Sequence, residues 1–530
     1  MSRTTRLLTL ALAFGVLIVP AAQASPAQTS IMMDDDLLVY RDDDTAAKTL
    51  TAMKRLGVDV ARVTILWKTV AENARPTKAE IAKLKGSKKE NARKQAARFK
   101  ATVPKTYPRR NWDRYDNLLR SAKRVGIKIY FNITGPGPEW AHVKPPASQR
   151  SLRASWKPRP AAFKQFVTAV GRRYDGTYAD DNGDRSILPR VSFWSLWNEP
   201  NQAGWLSPQW ENGRPASPGL YRKLHQYGYR GLFATGHRKD NDIILMGETA
   251  PLGTDAKTAN APMRPGLFLR ELATGAGAAA DFAARGPLLA TGYAHHPYTK
   301  NVSPVVTDAN PDSLTMANIS ELGSLLDEMS ARTGGKVAAN LPLFMTEYGF
   351  ETNPPDPFSG VPFATQAAFN MIGEFQAWQN PRILSQAQFL LRVVPPLRKH
   401  AKGSKRYWFT YQSGLYTSRG GVKPAATAYA IPFLAFNSNT LGPLGEPIYS
   451  LWGQLRLAPN GAPINATIQW RAKDGSTPWV TIGDPVPVDN MGYFTATRQA
   501  LLPVIGEWRA AIVNPADGSV VPGGTSLSQG

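Results

Sequence analysis

Val191-Ser192-Phe193-Trp194-Ser195-Leu196-Trp197-Asn198-Glu199-Pro200-Asn201 is a short apolar and aromatic run that stops abruptly in polar side chains and a proline. A run of this length bounded by a breaker reads as a strand buried on both faces. The texture recurs on either side of it. The strands fall at residues 36–40 (DLLVY), 59–66 (DVARVTIL), 127–134 (IKIYFNIT), 191–197 (VSFWSLW), 242–247 (DIILMG), 289–294 (LATGYA), 341–346 (LPLFMT) and 384–391 (LSQAQFLL). Stretches with helical spacing separate them, among them Trp112 to Val125, Ala162 to Tyr174, Pro218 to Thr235 and Ser313 to Arg332. Eight βα repeats predict an α/β protein, a (β/α)8 TIM barrel over residues 25–436, with functional side chains at the C-terminal ends of the strands.

Beyond Pro432 the pattern shortens to alternating runs set off by Asn460-Gly461, Asp474-Gly475 and Asp517-Gly518, dipeptides that favour hairpin turns. Residues 446–530 read as a small C-terminal β-sandwich of immunoglobulin or fibronectin type, an accessory domain joined through the Gly- and Pro-rich segment 437–446. At the other end Arg3 and Arg6 precede an apolar stretch from Leu7 to Val19 and then Ala22-Gln23-Ala24, the layout of a signal peptide over residues 1–24. The chain is therefore expected to be secreted or held in the cell envelope. No other run approaches the ~20 apolar residues of a membrane span.

Without a single cysteine the chain has no disulfide, thiol nucleophile or thiolate metal site, so a large apolar core must hold it together. Lys and Arg number 63 against 40 Asp and Glu, a net charge of +23. That excess invites a nucleic-acid reading. It is local, however: residues 75–110 hold thirteen Lys or Arg and two acids, and no nucleic-acid partner is expected.

Two carboxyls stand where such a fold concentrates chemistry. Asn198-Glu199-Pro200 ends the fourth strand, and Thr346-Glu347-Tyr348-Gly349 ends the seventh, on the facing side of the barrel. Hydrolysis of a glycosidic bond with retention needs two carboxyl groups roughly 5 to 5.5 Å apart, one to protonate the leaving oxygen and one to attack the anomeric carbon. With Arg62 on strand two, Pro138-Glu139-Trp140 after strand three, His296-Pro297-Tyr298 after strand six, Ser413-Gly414-Leu415 and Lys423-Pro424-Ala425, these residues resemble the signature of clan A retaining glycoside hydrolases. The full set resembles bacterial members near families 39 and 5 (cellulase-like), over about residues 36–435.

The resemblance implies a β-glycosidase that needs no cofactor and acts on an oligo- or polysaccharide. It makes Glu199 the general acid/base and Glu347 the nucleophile, gives Asn198 the sugar 2-hydroxyl, and has Arg62 and Tyr298 orient Glu347. A guanidinium beside Glu347 agrees with an ionised nucleophile. His296 would line the cleft. Trp140 and Trp197 are candidates to stack on sugar rings, Trp197 being equally a core residue. Strand eight lacks the tryptophan such barrels often carry there, and Trp408 is the nearest.

Other readings sit beside these. His295 and His296 are neighbours on a strand and point to opposite faces, which disfavours a metal pair, and no metal is expected. Asp180, Asp181, Asn182 and Asp184 could hold calcium, and read rather as a solvated loop before strand four. Basic segments 75–110, 142–159 and 392–406 follow strands two, three and eight; a positive rim there would concentrate an anionic envelope or exopolymer glycan, and a solvated insertion fits equally well. The aromatic residues of the C-terminal domain read as its core. Transglycosylation would use the same two glutamates, and a non-catalytic envelope-binding protein is the reading from another class.

Overall fold

The computed structural model describes residues 28–181, 183, 185–443, 445–457, 464–501, 506–513 and 519–527. The expected signal peptide and the turns at Asn460-Gly461 and Asp517-Gly518 lie outside the described residues. Eight strands form a closed parallel barrel: β1 (Thr29–Met33), β2 (Val60–Leu66), β3 (Lys128–Thr134), β4 (Phe193–Leu196), β5 (Ile243–Thr249), β6 (Gly292–His295), β7 (Leu343–Met345) and β8 (Ile383–Phe389), with β8 pairing back onto β1. Helices α1 (Asp43–Arg55), α2 (Arg110–Val125), α3 (Pro160–Arg173), α4 (Ser217–Phe233), α5 (Pro265–Thr274), α6 (Ile319–Thr333), α7 (Phe363–Gln379) and α8 (Pro424–Ala430) follow the strands in turn. Val and Ile on the strands and apolar faces on the helices favour this layering.

The barrel interior is filled rather than open. Ile31, Val60, Tyr130, Phe193, Leu245, Ala294, Phe344 and Ala387, one from each strand, form an apolar plug. Such a layer seals the bottom of the barrel and leaves only its upper end for polar side chains.

The first strand is Thr29–Met33, not the DLLVY run at 36–40. Asp34 accepts the N–H of Leu37 at 3.1 Å and caps a helical turn at Asp35–Leu38. An aspartate cap followed by two acids suits the positive end of a helix, and this outweighs the apolar character of Leu37 to Tyr40.

Beyond α8 lie two antiparallel sheets. Strands β9 (Phe433–Leu441), β10 (Pro447–Gln454) and β12 (Tyr493–Gln499) make one; β11 (Asn465–Ala472), β13 (Gly506–Val513) and β14 (Val520–Leu527) make the other, with two short strands on the edge of β11. Segment 437–446, expected as a linker, is the far end of the β9–β10 hairpin: β9 starts at Phe433 and Leu441 pairs with Pro447. Trp452, Trp470 and Trp508 are buried, so the aromatic residues of this region chiefly build its core.

This β-module packs on α7. Phe375 and Trp378 meet Trp452 at 5.2 and 5.8 Å between ring centroids. Beside them Glu374 of α7 forms a buried ion pair with Arg456, which also donates to the carbonyl of Tyr429. A buried cation left without its partner is costly. Glu374→Ala is accordingly expected to lower the unfolding free energy by about 3 kcal/mol, read from the chemical-denaturation midpoint; a loss under about 1 kcal/mol would mean that the pair does not brace the two parts.

Candidate active site

Above the apolar plug, the ends of β2, β4, β5, β6 and β7 converge on a layer of charged side chains. Arg62, from β2, is fully buried. One guanidinium nitrogen donates to Glu347 Oε1 at 2.7 Å; the other donates to Asn198 Oδ1 at 2.8 Å and Glu248 Oε2 at 3.1 Å. Tyr298 donates its hydroxyl to Glu347 Oε2 at 3.1 Å. Glu347 is thus held from both oxygens.

His296 bridges the other groups. Its Nδ1 lies 3.0 Å from Glu199 Oε1 and its Nε2 2.7 Å from Glu248 Oε2, with Glu347 Oε2 at 3.6 Å from Nδ1. Three carboxyl groups around one buried ring favour its charged form, in which both nitrogens donate. Burial opposes that charge, but Glu347, Glu199 and Glu248 outweigh it and hold the imidazole at about 10. His295 points the other way, to Thr249 and the carbonyl of Leu314, and burial pushes it down to about 3.

Glu248 is the residue the sequence reading missed. Besides Arg62 and His296, it accepts from Ser195 Oγ and Thr346 Oγ1, each at 2.6 Å, and from Tyr130. Burial would raise this carboxyl; Arg62 first, then His296 and Ser195, hold it well below the usual carboxylate range. Strand β5 places it by a bulge, since its register with β6 shifts between Gly247 and Thr249. A bulge turns a side chain off the regular alternation. The expected strand stopped at residue 247, one short of it; a lone glutamate closing an apolar strand at the barrel mouth was the available signal.

Backbone conformation at the site is unusual. Trp197, Glu199 and Glu248 have φ of 78°, 35° and 52°, in the left-handed region, and the N–H of Glu199 donates to the carbonyl of Glu248 at 2.9 Å. Such residues persist where their surroundings over-determine them. The positive φ at Trp197 has a direct consequence: its indole is fully buried and meets Phe163 of α3 edge-on at 5.1 Å. Trp197 is a packing residue and cannot stack on a sugar. Trp140 is half-buried between Trp67, Phe99 and Arg75. Glu139 is exposed and 3.8 Å from Arg153.

Glu199, His296 and Glu347 each bring one polar atom within 4.8 Å of the others. In this structure the three side chains pair with one another through His296. Asp180 and Asp181 pair with Arg120 and Arg173, while Asn182 and Asp184 lie outside the described residues.

The chain is similar to solved structures of a monomeric β-xylosidase from Caulobacter crescentus (12% identity, 91% of this chain and 96% of that chain, TM-score 0.46). It is also similar to a GH39 enzyme from Xanthomonas axonopodis pv. citri (14%, 90% and 94%, TM-score 0.44). A third is a GH5_18 enzyme from Streptomyces cattleya in complex with GlcNAc (15%, 77% and 79%, TM-score 0.40). No family model and no curated protein matches the chain. Likeness at this level assigns neither residues nor substrate, and the chemistry rests on the geometry of the site itself.

The raised imidazole of His296 makes stability depend on pH. Its ion pairs contribute in full below its ordinary value of 6.5, decline above it, and are gone once pH passes about 10. The difference in melting temperature between the parent and His296→Gln should be largest near pH 6 and shrink as pH rises through about 10. Glu248→Gln removes one of the three carboxylates and should move that decline to lower pH. A difference constant across this range would show that His296 is neutral.

Proposed function

We propose that the chain is a secreted retaining β-glycosidase that hydrolyses O-glycosidic bonds of an oligo- or polysaccharide by double displacement. The observation that carries this is the approach of one carboxyl oxygen each of Glu199 and Glu347 to within 4.8 Å at the barrel mouth. Retaining enzymes set their carboxyls roughly 5 to 5.5 Å apart, inverting ones about 6.5 to 9.5 Å, to leave room for a water.

The partners divide the roles. Glu347, gripped by Arg62 and Tyr298, is held to attack the anomeric carbon. Its attack forms a glycosyl ester as the bond to the leaving oxygen breaks, and Glu199 gives that oxygen its proton. Glu199, partly exposed, then takes a proton from water, which attacks the anomeric carbon and releases Glu347. Asn198 presents its amide N–H group to the sugar 2-hydroxyl because its oxygen is already taken by Arg62.

Glu347→Gln and Glu199→Gln should each lower kcat on a poorly activated β-glycoside by about 1,000-fold or more. With a good aryl leaving group, Glu199→Gln should spare the first step and slow the second. Proton NMR of the first product should show the β-anomer; first release of the α-anomer, or full activity in Glu347→Gln, would sink the assignment.

A further inference from the structure

The connection from β8 to α8, residues 390–423, carries eight Lys or Arg and not one acid. It leaves the barrel as a hairpin-like arm: Val393 N–H donates to the carbonyl of Tyr416 (2.9 Å), Val394 to Tyr411 (2.9 Å) and Leu397 to Tyr407 (2.8 Å). The pairing runs outward from the cleft, so the tip is residues 398–406, with Arg398, Lys399, Lys402, Lys405 and Arg406 all exposed. Among the described residues none of these five forms an ion pair with a carboxylate; Lys405 instead lies 6.0 Å over the ring of Phe358 in the β7–α7 connection. The other basic connections are more engaged, with Arg75 over Trp140, Arg153 near Glu139 and Lys157 on Glu211.

The base of the arm reaches the site through aromatic rings. Tyr298, which holds Glu347, meets Phe389 edge-on at 6.1 Å, and Phe389 meets Tyr411 edge-on at 5.1 Å. Desolvation, then the charges of Glu347 and Glu199, push the Tyr411 hydroxyl up to about 12, which places it in the field of both carboxylates. Tyr411 nevertheless leaves 58% of its surface exposed, and Phe409, further out, leaves 84%. Large exposed rings leading away from a cleft, ending in uncompensated positive charge, form one continuous surface for an extended ligand.

We infer that this arm is the specificity element of the cleft and holds a glycan bearing anionic groups. Tyr411 and Phe409 lie against sugar faces, and the tip cations meet carboxylate or phosphate substituents some residues away from the bond that is cleaved. The inference rests on the glycosidase reading of the site. It supplies exposed rings where strand eight carries no tryptophan.

The test is affinity electrophoresis of the full chain carrying Glu347→Gln, in gels containing polygalacturonate, a phosphodiester-bearing glycan, a neutral glucan or polyglutamate. An anionic glycan should retard the protein, the neutral glucan and polyglutamate should not, and the gel that acts distinguishes carboxylate from phosphate. Changing Arg398, Lys402, Lys405 and Arg406 together to Gln should weaken retardation about tenfold and flatten its salt dependence. Tyr411→Ala should weaken it with the salt dependence kept. Thermal unfolding checks that each variant folds. The inference falls if no anionic glycan retards the chain, if polyglutamate or the neutral glucan does so equally, or if the quadruple variant binds as tightly as its parent. Aryl β-glycoside turnover by the unsubstituted chain separates the two proposals: its absence sinks the glycosidase, and its presence without glycan retardation sinks the arm alone.

Discussion

A carboxylate sealed from water at Glu248 is tolerable only because two cations donate to it from different sides. Moving an unpaired carboxylate into such surroundings costs several kcal/mol even after relaxation, so Arg62 and His296 support the fold as much as they build a site. Their remaining hydrogens then have few places to go. Arg62 also donates to Glu347 and Asn198, and the second nitrogen of His296 meets Glu199. The positions of the two carboxyls proposed for chemistry follow from how a third is neutralised.

The rest of the barrel serves this arrangement. The plug of eight apolar side chains closes the lower end, so the charged layer can face only upward. The positive φ at Glu199 and Glu248 costs about 1 to 3 kcal/mol at each residue by the usual measure of such strain. The hydrogen bonds converging on Glu248, with the backbone bond that ties β4 to β5, offset that cost. Outside the barrel, the β-module braces α7 through Phe375, Trp378 and the Glu374–Arg456 pair.

Much of this was legible in the sequence because periodicity reports burial. Seven of the eight strands lie where apolar runs end in polar residues, and the polar ends at Asn198-Glu199 and Glu347 are the ones that meet. The failures are local and physical. Residues 36–40 are apolar enough for a strand, but Asp34 caps a helix just before them. Trp197 should point inward by alternation, and a left-handed backbone turns it out against α3. Glu248 stayed hidden because a bulge re-aims it, and register shifts leave no mark in composition. The segment at 437–446 has a linker's residues, yet Gly and Pro also suit a hairpin end.

Two chemically identical side chains would do opposite things in the proposed reaction, and their surroundings differ to match. Glu347 accepts from Arg62 on one oxygen and from Tyr298 on the other, and its side chain is 11% exposed; Glu199 meets His296 through one oxygen and is 21% exposed. A carboxyl gripped at both oxygens is fixed for attack on one carbon, whereas one tethered at a single oxygen keeps the other for a leaving oxygen and then for a water. The asymmetry comes from the placement of Arg62, Tyr298 and His296, and it needs no residue to move.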